Sequence, residues 1–412
     1  MAQTPADSAT SAFSYPAFRR YWASRLLSTL ATQMQSVAIG WQVYDMTHRP
    51  LDLGFVGLAQ FLPGLGLALI AGYVVDRYDR RAILGLCTGL EAVCSVLLLA
   101  LILSGNTNVV LIFGVLVLFG IARAFVFPAG IALMPNLVPQ HHYVNAAAWS
   151  SSAWQTATIA GPAVGGMLYV LGPAVVYGVS GLLLLGSSLL VVSIRIQRVV
   201  SQKKAASWAT VVAGIHFIRT QPIVLGAISL DLFAVLLGGA TALLPVYARD
   251  ILFVGPTGLG ILRSAPAAGA LLTAMIVARR PIRQHAGRIL LVTVGVFGAA
   301  TIVFGVSETL WLSLPMLFLM GAADMVSVVI RRVLVLVATP DDMRGRVSAV
   351  EAVFIGASNE LGEFESGVTA AWFGVVPAVV LGGLGTIGIV SLWAKIFPQL
   401  RQVDSLEIHP RV

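Results

Sequence analysis

Apolar blocks of about twenty residues or more recur along the whole chain, and their length limits what it can fold into more than any motif does. A helix rises about 1.5 Å per residue, so each block can cross a hydrocarbon layer roughly 30 Å thick. Twelve blocks are read, over residues 22–45, 52–75, 82–104, 109–138, 144–170, 173–194, 221–249, 257–278, 287–306, 309–338, 343–373 and 375–397. Only 11% of the 412 residues are charged, well below the roughly 25% of a soluble domain. The predicted fold class is an all-α polytopic membrane protein with twelve transmembrane helices. The first block follows a polar tail with Arg19, Arg20 and Arg25, and no small-residue cleavage signature follows a short apolar core. It is read as an uncleaved span.

The basic residues give the orientation. Arg77, Arg80 and Arg81, then Arg195, Arg198, Lys203 and Lys204, then Arg279, Arg280, Arg283 and Arg288, then Arg344 and Arg346 fall in alternate connections. The opposite connections hold little beyond Arg49 and Arg249. Positive loops stay in the cytoplasm, so both termini are expected there. Topology accounts for the net charge of +8 and the pI near 9.9; the expected counter-charge is membrane lipid with anionic head groups, and no nucleic acid is implied. Cys87 and Cys94 lie seven residues apart in one span, about 10 Å by helical rise, too far for a disulfide.

One long polar interruption, from Arg195 to about Gln221, divides six spans from six. The expected organisation is a tail over 1–21, a six-helix bundle over 22–194, a cytoplasmic linker over 195–220, a second six-helix bundle over 221–397 and a tail over 398–412. Within the linker, Trp208 to Arg219 alternates apolar and polar residues and could form a short helix on the membrane surface. The halves repeat. At an offset of 201 positions Pro139 matches Pro340, Gly120 matches Gly321, Ala122 matches Ala323 and Gly166 matches Gly367; near the start of each half Val43-Tyr44 matches Val246-Tyr247 at 203.

A charge held in hydrocarbon costs at least ~2.5–3.5 kcal/mol, so each needs a partner, a cavity or a use. Arg123 and Asp324 are repeat mates at mid-span; they could pair in one conformation and part in another, hold substrate groups, or form a static pair. Arg331 lies seven residues beyond Asp324, hence on nearly the same face, and Arg332 is turned toward the neighbouring span, with Glu351 as a candidate partner. Asp231 and Arg263, on adjacent spans, read as a structural ion pair or as part of a proton or substrate site. Glu360 and Glu363 stand one turn apart and cannot both carry charge cheaply in low dielectric; they are either proton carriers or static partners of Arg123 or Arg263. Glu91 reads as a partner for cytoplasmic-side arginines or as a snorkelling group. Gln33, Gln35, Gln42, Trp154 and Gln155 could line a cavity, with packing or interface anchoring as the alternative for Trp154 and Trp149.

Gly72-Tyr-Val-Val-Asp76-Arg77-Tyr-Asp79-Arg80-Arg81 resembles the loop between the second and third helices of the major facilitator superfamily, where the form is G-x-x-x-D-R-x-G-R-R; Asp79 replaces the inner glycine. Gly161-Pro162-Ala-Val-Gly165-Gly166 resembles the G-P-x-x-G-G signature of exporters in that superfamily, where small residues let helices approach closely. Gly260-Ile-Leu-Arg263-Ser-Ala-Pro266, Asn136-Leu-Val-Pro139 and Ser358-Asn-Glu360-Leu-Gly-Glu363 look like the branch containing enterobactin exporters and macrolide-efflux relatives. Gly130 departs from it, standing where an arginine is expected.

The resemblance implies two pseudo-symmetric six-helix bundles, a substrate site between the halves near the membrane midplane, and a bacterial inner-membrane location. It further implies efflux of a siderophore-like or amphipathic drug-like small molecule against proton entry, by a protein acting as a monomer. Asp231, Glu360 and Glu363 would be proton-linked, with Arg123, Arg263, Asp324 and Arg331 shaping the cavity. Gly72, Asp76, Arg77, Arg80 and Arg81 would hold the cytoplasmic side closed, Gly72 by close helix packing. No cofactor is implied: His141-His142 lacks further metal ligands, and no phosphate-binding glycine loop occurs. An uptake facilitator or lipid flippase on the same fold is the alternative, and a non-transporting receptor or scaffold would leave the intramembrane charges unexplained.

Overall fold

A computed structural model describes residues 12–195, 208–282 and 284–404. Arg198, Lys203 and Lys204 of the linker and Arg283 of a basic connection lie outside the described residues. Every regular element among the described residues is helical. The chain forms twelve long segments and one short helix: α1 (Pro16–Thr47), α2 (Pro50–Arg77), α3 (Arg80–Leu103), α4 (Val109–Leu133), α5 (Tyr143–Tyr169), α6 (Pro173–Val192), the short α7 (Trp208–Thr220), α8 (Pro222–Leu237), α9 (Gly255–Arg279), α10 (Ala286–Gly305), α11 (Leu310–Ala338), α12 (Asp341–Phe373) and α13 (Val375–Ile396).

Nine of these segments, among the described residues, are long and apolar enough to cross a membrane on length and composition alone; α1, α5 and α12 are long enough but too polar. Their polarity has a visible source. The first helix carries Arg19, Arg20, Arg25 and three glutamines, α5 carries a Ser-Ser-Ser run with Gln155, and α12 carries Glu351, Glu360, Glu363 and Glu365.

Two compact units emerge. The first is built on α1, α3–α6, most of α2 and Pro256–Ser264 of α9; the second takes His48–Leu58 of α2, the rest of α9, α7, α8 and α10–α13. Within the first, α1 packs on α5 and α6, and α3 on α4 and α6; within the second, α8 packs on α12 and α13, and α10 on α11 and α13. The second set is the first shifted by six spans, so the repeat seen as matched residues is also a repeat of packing.

Glycines at matched positions set equivalent crossings. A Cβ on Gly120 of α4 would strike the Gln60 backbone of α2, and one on its mate Gly321 of α11 would strike the Pro266 backbone of α9. Lipid tails are as apolar as leucine, so association of membrane helices relies on such close contact rather than on burial from water.

Two ends are shaped by side chains. Asp79 caps α3, its carboxylate accepting from the Arg81 and Ala82 amides at 2.9 and 3.4 Å, which satisfies donors that a helix start leaves open. The chain beyond α13 folds back on the start of α10: Gly287 and Ala286 amides donate to the Val403 and Asp404 carbonyls at 3.0 and 3.4 Å, and the His285 amide donates to the Asp404 carboxylate at 3.1 Å. The seventh segment breaks at Gly238-Gly239 and continues as a short 3-10 stretch and a π turn to Ile251. The broken backbone is covered by α12, since a Cβ on Gly362 would lie 2.8 Å from the Val235 carbonyl, and irregular backbone at membrane depth is tolerated where protein buries it.

Candidate functional site

Charge inside the second unit is concentrated around Arg331. The residue is 2% exposed, and its guanidinium forms an ion pair with Asp231 of α8 and lies 3.6 Å from the Glu351 carboxylate of α12. Two expectations are corrected. Asp231 pairs with Arg331 rather than Arg263, because α8 packs against α11, α12 and α13. Glu351 meets Arg331 rather than Arg332, whose side chain is exposed.

Asp231 also borders a cavity of about 20 Å³ with Asp324 and Ser327 of α11, walled by Val294 and Phe297 of α10. Asp324 and Ser327 make no hydrogen bond or ion pair among the described residues, although Ser327 is only 4% exposed. Removing the hydration of such groups without replacing it costs free energy, which favours a polar occupant.

The acids of α12 converge elsewhere in the same unit. A Cβ on Gly57, in the first turns of α2, would lie 2.8 Å from Glu363 Oε2 and 3.2 Å from Glu360 Oε2. Both carboxylates therefore address one point, and only glycine leaves them room. Phe55 and Phe364 flank this contact with ring centroids 5.5 Å apart. Glu365 faces away, accepting from Thr369 at 2.6 Å.

In the first unit Arg263 donates to the Ser36 carbonyl at 3.5 Å. Arg123 is exposed on α4, and its field, with that of Arg25, reaches the buried Glu91 of α3. Glu91 is 2% exposed, so it does not snorkel. Gln35 is a correction to the cavity set: it is 2% exposed and donates to Ser95, tying α1 to α3. Gln42 likewise accepts from Tyr177 at 2.6 Å. Trp154 is exposed and Gln155 half-buried on α5, whereas Trp149 packs edge-on to Phe13 and accepts from Trp22 through its carbonyl at 2.9 Å. Beside Gly130 lies the Arg25 guanidinium, 3.6 Å from where a Cβ would stand. A cation from α1 thus fills the neighbourhood where a charge on α4 was expected.

The motif residues serve helix ends and crossings. Arg80 donates to the Ala132 carbonyl at 3.0 Å and Arg81 to the Ile194 carbonyl at 2.7 Å, just at and beyond the ends of α4 and α6, where open carbonyls and the helix dipole favour a cation. Arg77 donates to the Tyr73 hydroxyl at 3.1 Å; Asp76 is half-buried on the last turn of α2. Gly72 is a correction: a Cβ there would meet open space, so no close packing depends on it here. In the exporter-like run, a Cβ on Gly161 would press on Gln33 and one on Gly165 would lie 2.7 Å from the Met34 backbone, while Gly166 faces Pro256 and Gly260; Pro162 presents its carbonyl to Gly260.

Sequence reasoning missed the Asp79 cap, Ser327 and the place taken by Arg25. Asp79 carried a readable signal, an acid directly before a helical run; Ser327 and Arg25 carried none that spacing alone reveals.

Long apolar helices packed in two repeated units, with charges among them, are those of a transporter of the major facilitator fold rather than an enzyme. Residues 7–412 match the transmembrane secretion effector family (MFS_3), and the chain belongs to it. Among its relatives, the MFS-type transporter YfiS of Bacillus subtilis (strain 168) is 27% identical over 401 residues, covering 92% of this chain and 93% of its own. The enterobactin exporter EntS of Escherichia coli O1:K1 / APEC is 24% identical over 401 residues, covering 94% and 93%. Solved structures share the fold: the nucleoside transporter NupG at 12% identity and TM-score 0.72, covering 92% of this chain and 99% of its own, and a bacterial homologue of the iron transporter ferroportin in an inward-facing state at 15% identity and 0.69, covering 94% and 98%.

Proposed function

We propose that this transporter is a proton-coupled exporter of a siderophore-like or amphipathic drug-like small molecule, working by alternating access of two six-helix bundles over 22–194 and 221–397. It acts as a monomer among anionic lipids of the bacterial cytoplasmic membrane, with both termini in the cytoplasm. The convergence of Glu360 and Glu363 on Gly57 carries the coupling part of this reading. Two carboxylates held against one backbone position disfavour double ionisation, and a carboxylate that gains and loses a proton as its surroundings change is what exchange of substrate for protons requires. Export rather than uptake follows the secretion family and the likeness to EntS.

The experiment is substrate-stimulated proton movement in proteoliposomes, with wild type compared with Glu360→Gln and Glu363→Gln across catechol compounds and lipophilic drugs. Loss of proton flux in either variant, with substrate binding kept, is expected. Full transport without proton dependence in wild type would sink antiport. Asp231→Asn is a weaker probe, because it removes the direct partner of the buried Arg331, leaving it only Glu351, and reports on stability as well as coupling.

A further inference from the structure

In the second unit one buried guanidinium, that of Arg331, lies between Asp231 on α8 and Glu351 on α12, and a third acid, Asp324 on α11, shares a cavity with Asp231. If all three were ionised, Arg331 would neutralise one and leave two. Low dielectric penalises that excess. Arg331 and Asp324 of α11 face Asp231, and Glu351 of α12 faces Arg331; α10 presents Val294 and Phe297, α13 packs on α8 through Thr386 and Trp393, and α7 and residues 398–402, which also pack on α8, carry His216, Arg219 and Arg401, all exposed. Among the described residues no cation other than Arg331 forms an ion pair with Asp231, Asp324 or Glu351; the exposed Arg332 acts on Arg331 only through its field.

The cavity joining Asp231, Asp324 and Ser327 measures about 20 Å³, and one water needs on the order of 10–15 Å³. The unpartnered Ser327 hydroxyl, buried at its edge, can hold such a water by donating or accepting. A metal ion is a poorer occupant, since Asp231 is committed to Arg331 and no group of three or more His, Cys, Asp or Glu side chains is placed to hold an ion among the described residues.

We infer that Asp324 takes up a proton in the second unit and passes it through this cavity to Asp231, which then releases Arg331 to Glu351. The inference rests on the proton coupling proposed above. In the step, the O–H bond on Asp324 breaks and one forms on Asp231, the intervening water accepting one proton and giving another; no electrons move. A neutral Asp231 no longer holds Arg331 by charge, and the guanidinium turns to Glu351, 3.6 Å away. Glu351 lies on α12, the helix that also carries Glu360 and Glu363. The position of one proton is thereby converted into a change of packing among α8, α11 and α12.

The test is infrared difference spectroscopy between acid and mildly alkaline buffer, on the full-length protein in vesicles of phosphatidylethanolamine and phosphatidylglycerol, without any transported compound. Wild type should show a protonated-carboxyl band that disappears in alkali, with a concurrent shift of a guanidinium band. Asp324→Asn should lose both signals, and Asp324→Glu should keep both with the carboxyl band displaced. An unchanged helical amide signal shows that each variant is folded. A carboxyl difference spectrum in Asp324→Asn identical to wild type overturns the inference, as does a guanidinium shift that persists in that variant. Because no substrate is present, these outcomes stand whether or not wild type couples export to protons in proteoliposomes.

Discussion

Arg331 is the residue on which most of the interior chemistry of the second unit depends. Removing one member of a buried ion pair leaves a charge uncompensated, which in soluble proteins costs about 3–5 kcal/mol. Asp231→Asn should therefore lower thermal stability, read as the temperature at which the solubilised protein leaves its monodisperse elution peak. Asp231→Asn combined with Arg331→Gln should recover part of the loss, since Glu351 then lacks its cation. If the double variant is as unstable as the sum of the singles, the pair is not a coupled unit. The inward face of Arg331 was legible from its seven-residue spacing to Asp324. Its partner was not, because Asp231 comes from a helix about a hundred residues away, and chain adjacency pointed instead to Arg263. Asp79 was readable as an acid but hidden as a cap by its place in a loop motif; Asp79→Ala should cost about 1 kcal/mol, seen as an earlier onset of thermal unfolding, while Asp79→Asn should be nearly neutral.

Elements obey a different rule, since a helix can move toward its neighbour only where a small residue lets it. Gly120→Leu and Gly321→Leu place a side chain into the backbones of Gln60 and Pro266, whereas Gly72→Leu extends into open space. Both of the first two substitutions should abolish the folded peak in size-exclusion chromatography, and Gly72→Leu should leave it intact. Equal yields of all three would show that the crossings are loose. The repeat in sequence located Gly120 and Gly321 as equivalents, and the shared crossing of α4 on α2 and of α11 on α9 explains why a glycine stands at each. A hydropathy threshold alone would have missed α1, α5 and α12 among the described residues. Length and spacing recover them, because helices with polar work to do remain long while losing apolarity.

At the scale of the whole molecule, alternating basic connections predict a topology that labelling can test. In a background with Cys87→Ala and Cys94→Ala, Tyr78→Cys should react with an impermeant maleimide only after the membrane is opened, and Asn106→Cys should react in intact cells; both positions are exposed. Labelling of both from the same side would remove the orientation and with it the cytoplasmic termini. What the sequence determined by itself is what short-range physics controls: membrane spans from apolar length and the twofold repeat from matched residues, with charge asymmetry supplying the orientation to be tested. Only the tertiary structure decided which charges meet. Partners of Asp231, Gln35 and Gly130 arrive from helices distant in sequence, and a rotation of one helix by a single residue, about 100°, exchanges one partner for another without changing the hydropathy pattern that places it in the membrane.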